Sequence, residues 1–459
     1  MIKIMNEFKP VEPASRTRNG SSESATERTT PALAGKGYAQ QREALAPPAH
    51  YAGGRAAQPS NQNKPVQLKE AAGTGSDGGG GSNDDFYERL EEPPPPLHER
   101  FVGNGSLERL HTAEGATLAK GDRDAVGRVQ QALSDMGFSL PFHGVDKLNG
   151  GETEAAVSRF QETAGLEPTG VVDQDTLHEL CRRAPAAGKR QDKTVDYGKL
   201  LADHKLEITV AFGYDKPNRA LAGEGDEFLA WAAQKGFEEK KREGTTIFLH
   251  KPHTFMEDVG DVYPLEHDVT VILKVILPGA GAANAYGNAL ANDEVVVYSG
   301  HARGGSGPDF DPSDSGQEHF VMGANTEGHR KGQYKGPNHH APAGLAGREN
   351  RLEKMSKAGD FKSDKYQVWM FNACTSLNYL DEVRGGLVEG KDRKNLDVIG
   401  TNAATLTSTY AEVTIDFIEG ILNQKGIEES IRKWSEHAQE GIQHFHDGFG
   451  DNPDAPQGQ

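Results

Sequence analysis

Glu294-Val-Val-Val-Tyr-Ser-Gly-His301 and Gln367-Val-Trp-Met-Phe-Asn-Ala-Cys374 are two apolar runs, each closing on a reactive side chain. The first is β-branched and aromatic, follows Asn292-Asp293 and leads into Ala302-Arg303-Gly304-Gly305, so chain breakers bound a short strand. The second follows Ser363-Asp364 and leads into Thr375-Ser376-Leu377, where a hydroxyl side chain is expected to cap a helix. Runs without polar alternation are covered on both faces, which predicts an α/β fold, a mostly parallel sheet with helices on both sides. In such sheets ligands lie outside the carboxyl ends of the strands, and both His301 and Cys374 fall on that rim.

Outward from these strands the pattern alternates across residues 204–440. Leu206 to Phe212, Thr245 to His250, Val269 to Leu277 and Leu396 to Gly400 read as strands. Asp226 to Lys235, Ala283 to Leu290, Leu377 to Glu389, Tyr410 to Asn423 and Gly426 to His437 read as helices. Strand and helix in succession predict an open sheet with right-handed crossovers.

The chain has 459 residues and a formal charge of -18, without the basic face that phosphate binding needs, so nucleic acid is excluded as a partner. Eleven of its 24 prolines precede residue 97, beside Gly78-Gly-Gly-Gly-Ser82. Residues 1–120 accordingly read as a disordered leader or tether, too poor in apolar periods to offset the entropy of ordering. Residues 185–203 read as a linker and 441–459 as a flexible tail. No apolar core of a cleavable signal follows Met1, and no run approaches the ~18 residues that span a bilayer. Lys274 interrupts the nearest one. Localisation is left open between the cytoplasm and export by a non-classical or injection route. Two cysteines far apart exclude a disulfide framework and leave a thiol for chemistry.

A small all-helical domain is expected over residues 121–184. Val126, Val129 and Leu133 recur at helical spacing behind Asp122 and Asp124, and Ala156, Phe160 and Ala164 share a second helical face. Leu177, Leu180 and Cys181 complete a third helix behind Asp173, with Cys181 expected to be a buried packing residue. Val126-Gly-Arg-Val-Gln-Gln-Ala-Leu133, Met136-Gly-Phe138, Ala156-Val-Ser-Arg-Phe-Gln161 and Gly165-Leu-Glu-Pro-Thr-Gly170 resemble the three-helix peptidoglycan-binding domain. That resemblance implies a bacterial wall glycan as partner. The chain departs from the family at His143-Gly-Val-Asp-Lys-Leu-Asn-Gly-Gly151, which borders the family's usual glycan groove.

The strands ending Ser299-Gly-His301 and Ala373-Cys374, in that order, resemble the caspase-like clan of cysteine peptidases, which includes caspases, metacaspases, gingipains, clostripain and legumain. The resemblance implies His301 as general base or acid and Cys374 as acyl-forming nucleophile. It also implies an oxyanion hole from the backbone N–H groups of Ala302 and Cys374. Three departures stand out. Ala302 replaces the clan's usual Gly, Asn372 stands where metacaspases and clostripain carry Asp, and a long polar insertion spreads His301 and Cys374 apart. A cysteine nucleophile beside a histidine base, at the start of a helix, is also what thiol chemistry calls for.

Asn372 and the loop after the next strand, with Asn402 and Thr405, are substrate-pocket candidates. The insertion from Arg303 to Lys362 reads as a solvated or substrate-selecting loop, since the spacing of His319, His329, His339 and His340 matches no ligand motif. His250-Lys-Pro-His253 lacks a third ligand. No metal and no cofactor are expected. The sequence therefore predicts a cysteine endopeptidase, held near its protein or peptide substrate by the helical domain. The alternatives are a cysteine hydrolase of peptidoglycan peptides and a non-enzymatic wall-binding protein with a degenerate peptidase fold.

Overall fold

Asp122 and Asp173 start helices where their positions predict, accepting hydrogen bonds from the backbone N–H of Ala125 and of Thr176 at 3.1 and 2.9 Å. The computed structural model describes residues 93–214, 223–257, 265–302, 307–310, 351–383, 393–402, 405, 409–437 and 444–455. Helices α1 (Gly105–Thr112), α2 (Arg123–Asp135), α3 (Gly151–Ala164) and α4 (Gln174–Arg183) form the amino-terminal module. Val126, Val129, Leu133, Phe160, Leu177 and Leu180 are buried together, and Cys181 packs with them as expected. Burial pushes the Cys181 thiol up, which suits a packing role.

The module begins earlier than expected. Phe101, Leu107, Leu110 and Leu118 join its core, and Asn104 caps α1 through the N–H groups of Ser106 and Leu107. Arg100 reaches back to the buried Asp135 at 2.7 Å. The four apolar residues are few and irregularly spaced, so no helical period marks them in the sequence. The rest of the expected leader, residues 1–92, lies outside the described residues.

Beyond α5 (Tyr197–Leu200) an eight-stranded sheet follows. Its chain order is β1 (Lys205–Phe212), α6 (Glu224–Gln234), β2 (Glu238–Glu243), β3 (Thr246–Glu257), β4 (Leu265–Ile276), α7 (Ala282–Asn292), β5 (Val295–Ser299), α8 (Arg351–Ala358), β6 (Gln367–Asn372), α9 (Leu377–Glu382), β7 (Leu396–Thr401), α10 (Tyr410–Leu422), α11 (Ile427–Ser430), α12 (Arg432–His437) and β8 (His444–Asp447). The strand order is β2-β3-β4-β1-β5-β6-β7-β8. β4, β1, β5, β6 and β7 run parallel; β2, β3 and β8 are antiparallel at the edges.

Both faces are covered, as the unbroken apolar strands predict. Val210, Val297 and Met370 pack with Phe228, Phe417 and Ile421 on one side. Val296, Trp369 and Phe371 pack with Tyr286, Leu290 and Tyr379 on the other. Lys274 breaks the apolar run of β4 because it pairs with the buried Asp293 at 2.7 Å, and Thr209 also bonds that carboxylate. The mostly parallel α/β sheet is therefore established, with an antiparallel strand or pair at each end. No helix among the described residues is long and apolar enough to cross a membrane.

Three expectations are corrected. Residues 185–203 are a seam: Val195, Leu200 and Leu201 are buried, and Tyr197 donates to the Ile421 carbonyl at 2.7 Å. Residues 444–455 close the sheet edge as β8 and a buried turn at Phe449, while the other positions of the expected tail lie outside the described residues. The expected helix from Gly426 to His437 is broken at Ile431 into α11 and α12.

Module and sheet meet at Asp447, which accepts from Ser139 Oγ at 2.9 Å and pairs with Arg159 at 3.4 Å. A cleft of roughly 270 Å³ opens beside this contact, lined by Ser158, Arg159, Glu162, Lys394, Asp447 and Asp451 among others.

Candidate active site

β5 and β6 are neighbours in register, with Ser299 opposite Asn372. His301 and Cys374 each follow that pair by two residues, on strands about 4.8 Å apart. The Gly300 N–H bonds the Asn372 carbonyl at 3.1 Å, so the pairing extends one residue past the strand ends. A side chain at position 300 would meet the Tyr298 hydroxyl at 2.6 Å and Gly213 Cα at 2.9 Å. Glycine is what lets the chain turn out at His301 over so crowded a floor.

Two buried tyrosines hold this turn by its carbonyls. Tyr298 donates to the His301 carbonyl at 2.9 Å and accepts from the Asp309 N–H at 3.0 Å. Tyr379 donates to the Ala302 carbonyl at 3.1 Å, which also accepts from the Gly307 N–H at 3.1 Å. Burial pushes the Tyr379 phenol well above its ordinary range, so it stays protonated and remains a donor. Ala302 is buried, with its backbone fixed by these contacts.

Cys374 lies on a turn between β6 and α9 and is half-buried. The next residue, Thr375, has φ of +52°, a left-handed conformation that a β-branched side chain rarely adopts. Such strain of about 1–3 kcal/mol persists only where the surroundings enforce it, and it collects at functional sites. Here the enforcing group is Ser376. Expected as a helix cap, it makes no cap bond; its buried hydroxyl donates to the Phe371 carbonyl at 2.8 Å and accepts from the Thr401 N–H at 2.9 Å. It ties β6 to β7 and pins the turn. The helix that follows is described only as Leu377–Glu382; positions 384–389 of the expected helix lie outside the described residues.

The pocket candidates separate. Thr405 touches Cys374 Sγ with its N–H at 3.3 Å and its hydroxyl at 3.6 Å, and that hydroxyl also pairs with Tyr410 Oη at 2.9 Å. Asn402 is exposed near the end of β7. Asn372, the third pocket candidate, is fully buried. Its side-chain nitrogen donates to Ser299 Oγ at 3.1 Å and to the Tyr410 carbonyl at 3.3 Å, and Ser299 Oγ pairs with Thr414 Oγ1 at 2.6 Å. Asn372 thus braces the two strands against α10 from below.

Other sequence candidates fall elsewhere. His253 faces the Leu422 carbonyl at 2.7 Å, and His143 is exposed on the module. His319, His329, His339 and His340 lie outside the described residues. Among the described residues no group of His, Cys, Asp or Glu side chains is arranged to hold a metal ion. Sequence reasoning missed Tyr298, Tyr379, Tyr410 and Ser376. Each reads as an ordinary core or cap residue, and only the fold turns its hydroxyl toward the rim.

Residues 122–180 match the family described as "Putative peptidoglycan binding domain". The chain therefore carries a peptidoglycan-binding domain, and peptidoglycan is a partner this domain supports. No curated protein and no solved structure matches the chain. In the domain's altered loop, Gln130 accepts from the Lys147 N–H at 2.7 Å and Glu152 accepts from the N–H groups of Phe142 and His143 at 2.7 and 3.0 Å. Val145 and Leu148 are left exposed there.

Proposed function

We propose that the chain is a cysteine peptidase of the caspase-like type, with His301 and Cys374 as its dyad and the peptidoglycan-binding domain as its anchor. The observation that carries the reading is the register of β5 and β6, which sets both residues at equal distances beyond a paired Ser299 and Asn372. The strained Thr375 beside Cys374 supports it. In this reading His301 takes the proton of the Cys374 thiol, the thiolate attacks a peptide carbonyl, and His301 returns the proton to the leaving amine. Water then hydrolyses the thioester. Backbone N–H groups of Ala302 and Cys374 are the proposed donors to the oxyanion.

A second reading keeps the chemistry and changes the substrate to peptidoglycan peptides, favoured by the domain matched at 122–180. Incubating full-length protein with a mixed peptide library and, in parallel, with purified sacculi separates the two. The proposal expects new amino termini in one of them, absent with Cys374→Ala. No cleavage of either by folded wild-type protein between pH 5 and 9 contradicts it.

A further inference from the structure

We propose that Thr405 and Tyr410 form a hydrogen-bond relay that holds the Cys374 thiolate. The inference rests on the reading of Cys374 as nucleophile, and it assigns these two residues a role beyond shaping a pocket. Thr405 meets the sulfur twice, through its N–H at 3.3 Å and its hydroxyl at 3.6 Å. The hydroxyl lies 2.9 Å from Tyr410 Oη. Either oxygen of that pair has a proton to give.

Tyr410 opens α10 and is fully buried. Burial, and then the nearby Cys374, push its phenol well above the ordinary range, so it keeps its proton. A buried hydroxyl proton has to be used, and Thr405 Oγ1 lies at good hydrogen-bond distance to accept it. Once Thr405 Oγ1 accepts from Tyr410, its own proton is free to point at sulfur. The neutral thiol faces the Thr405 carbonyl at 3.8 Å, a weak contact that fits a proton still on sulfur. When that proton leaves for His301, the sulfur becomes an acceptor for two donors from one residue. Bonds to a charged acceptor are about twice as strong as neutral ones, so both donors hold the sulfur more tightly once it is charged.

The anchoring of Tyr410 is equally specific. Its carbonyl takes the Asn372 side-chain amide at 3.3 Å, and the next N–H, of Ala411, bonds the buried Glu224 carboxylate at 2.5 Å. The first turn of α10 is therefore tied to β6, the strand that leads into the cysteine turn, and to α6. Thr405 touches the reacting atom and is a catalytic residue in this scheme; Tyr410 acts through it and is a positioning residue.

The test follows alkylation of Cys374 by iodoacetamide in the full chain from pH 5 to 9, read at the peptide level so that Cys181 is scored separately. Thr405→Val should slow the reaction about tenfold at pH 6 and displace the rate against pH curve to higher pH. Its plateau at high pH, where sulfur is already ionised, should stay at the wild-type level. Tyr410→Phe should displace the curve in the same direction by about a third as much, and Thr405→Ser should restore it. Curves for Thr405→Val or Thr405→Ala and for Tyr410→Phe that overlay the wild type in folded protein overturn the relay. Displaced curves without cleavage of any peptide sustain the relay and contradict the peptidase. Cleavage with overlaid curves contradicts the relay alone.

Discussion

In the helical module buried amides fasten loops to the helices beside them, whereas at the rim of the sheet buried hydroxyls and one amide join into a chain that reaches Cys374. Gln161, buried in α3, donates to the Val171 carbonyl at 2.9 Å and accepts from the Gly170 N–H at 2.8 Å; Gln130 in α2 holds the 146–148 loop in the same way. These amides fix turns, and their loss unfolds something. At the rim, Ser299, Thr414, Asn372, Tyr410 and Thr405 pass hydrogen bonds from side chain to side chain or carbonyl and end at Cys374. Buried polar chains of that kind specify positions, and these positions border the proposed dyad. The difference separates a scaffold from a site within one chain.

The sharpest way to break this contrast is Cys374→Ala. It should abolish peptide cleavage by at least about a thousandfold while leaving the melting temperature near wild type. A matching loss of stability with no loss of activity would make the rim a second scaffold. Next in size, Gln161→Ala should destabilise by about 2–4 kcal/mol, since it strands the Gly170 N–H and the Val171 carbonyl, yet leave iodoacetamide labelling of Cys374 unchanged. Thermal melting and labelling on the same sample check both halves.

Gly450→Ala addresses the contact between the two regions. A Cβ there would lie 2.5 Å from the Phe138 ring, so the substitution should cost about 1–3 kcal/mol and loosen module from sheet. Splitting of one melting transition into two is the expected signature in calorimetry.

The smallest effect concerns acid. His444 and His446 bond the Glu428 carboxylate at 3.2 Å each and hold it well below the ordinary carboxylate value of 4.5. A lowered folded-state value means that stability is present above about pH 4.5 and is lost as pH falls further. Glu428→Gln should therefore flatten the fall of melting temperature below pH 4.5. An unchanged slope contradicts the pairing.

Legibility followed burial. β5 and β6 were visible because both faces of each are covered and their apolar runs are unbroken; the rim position of His301 and Cys374 came with them. β2, Glu-Glu-Lys-Lys-Arg-Glu, was invisible because it is an exposed edge strand whose charges guard the edge and leave no alternation to read. β8, His-Phe-His-Asp, was lost for a different reason: its positions are at least half-buried, but Phe445 is its single apolar residue. Asn372 reads as a pocket candidate because it stands two residues before Cys374; strand alternation sets it with Val368 and Met370 on the face covered by α10, where its amide bonds Ser299. Thr375 gave no warning of its positive φ, since nothing in a β-branched residue announces it. The relay through Tyr410 was hidden because it joins residues whose meeting depends on α10 folding back over β6.

The most direct measurement of the central claim is covalent labelling of the folded full-length chain by a set of electrophilic peptides varied at the residue before the electrophile. The account predicts modification at Cys374 by at least one of them, abolished in Cys374→Ala and slowed at least about a hundredfold in His301→Ala. Cys374 left unmodified by every peptide, in protein whose Cys374 still reacts with iodoacetamide, would contradict it.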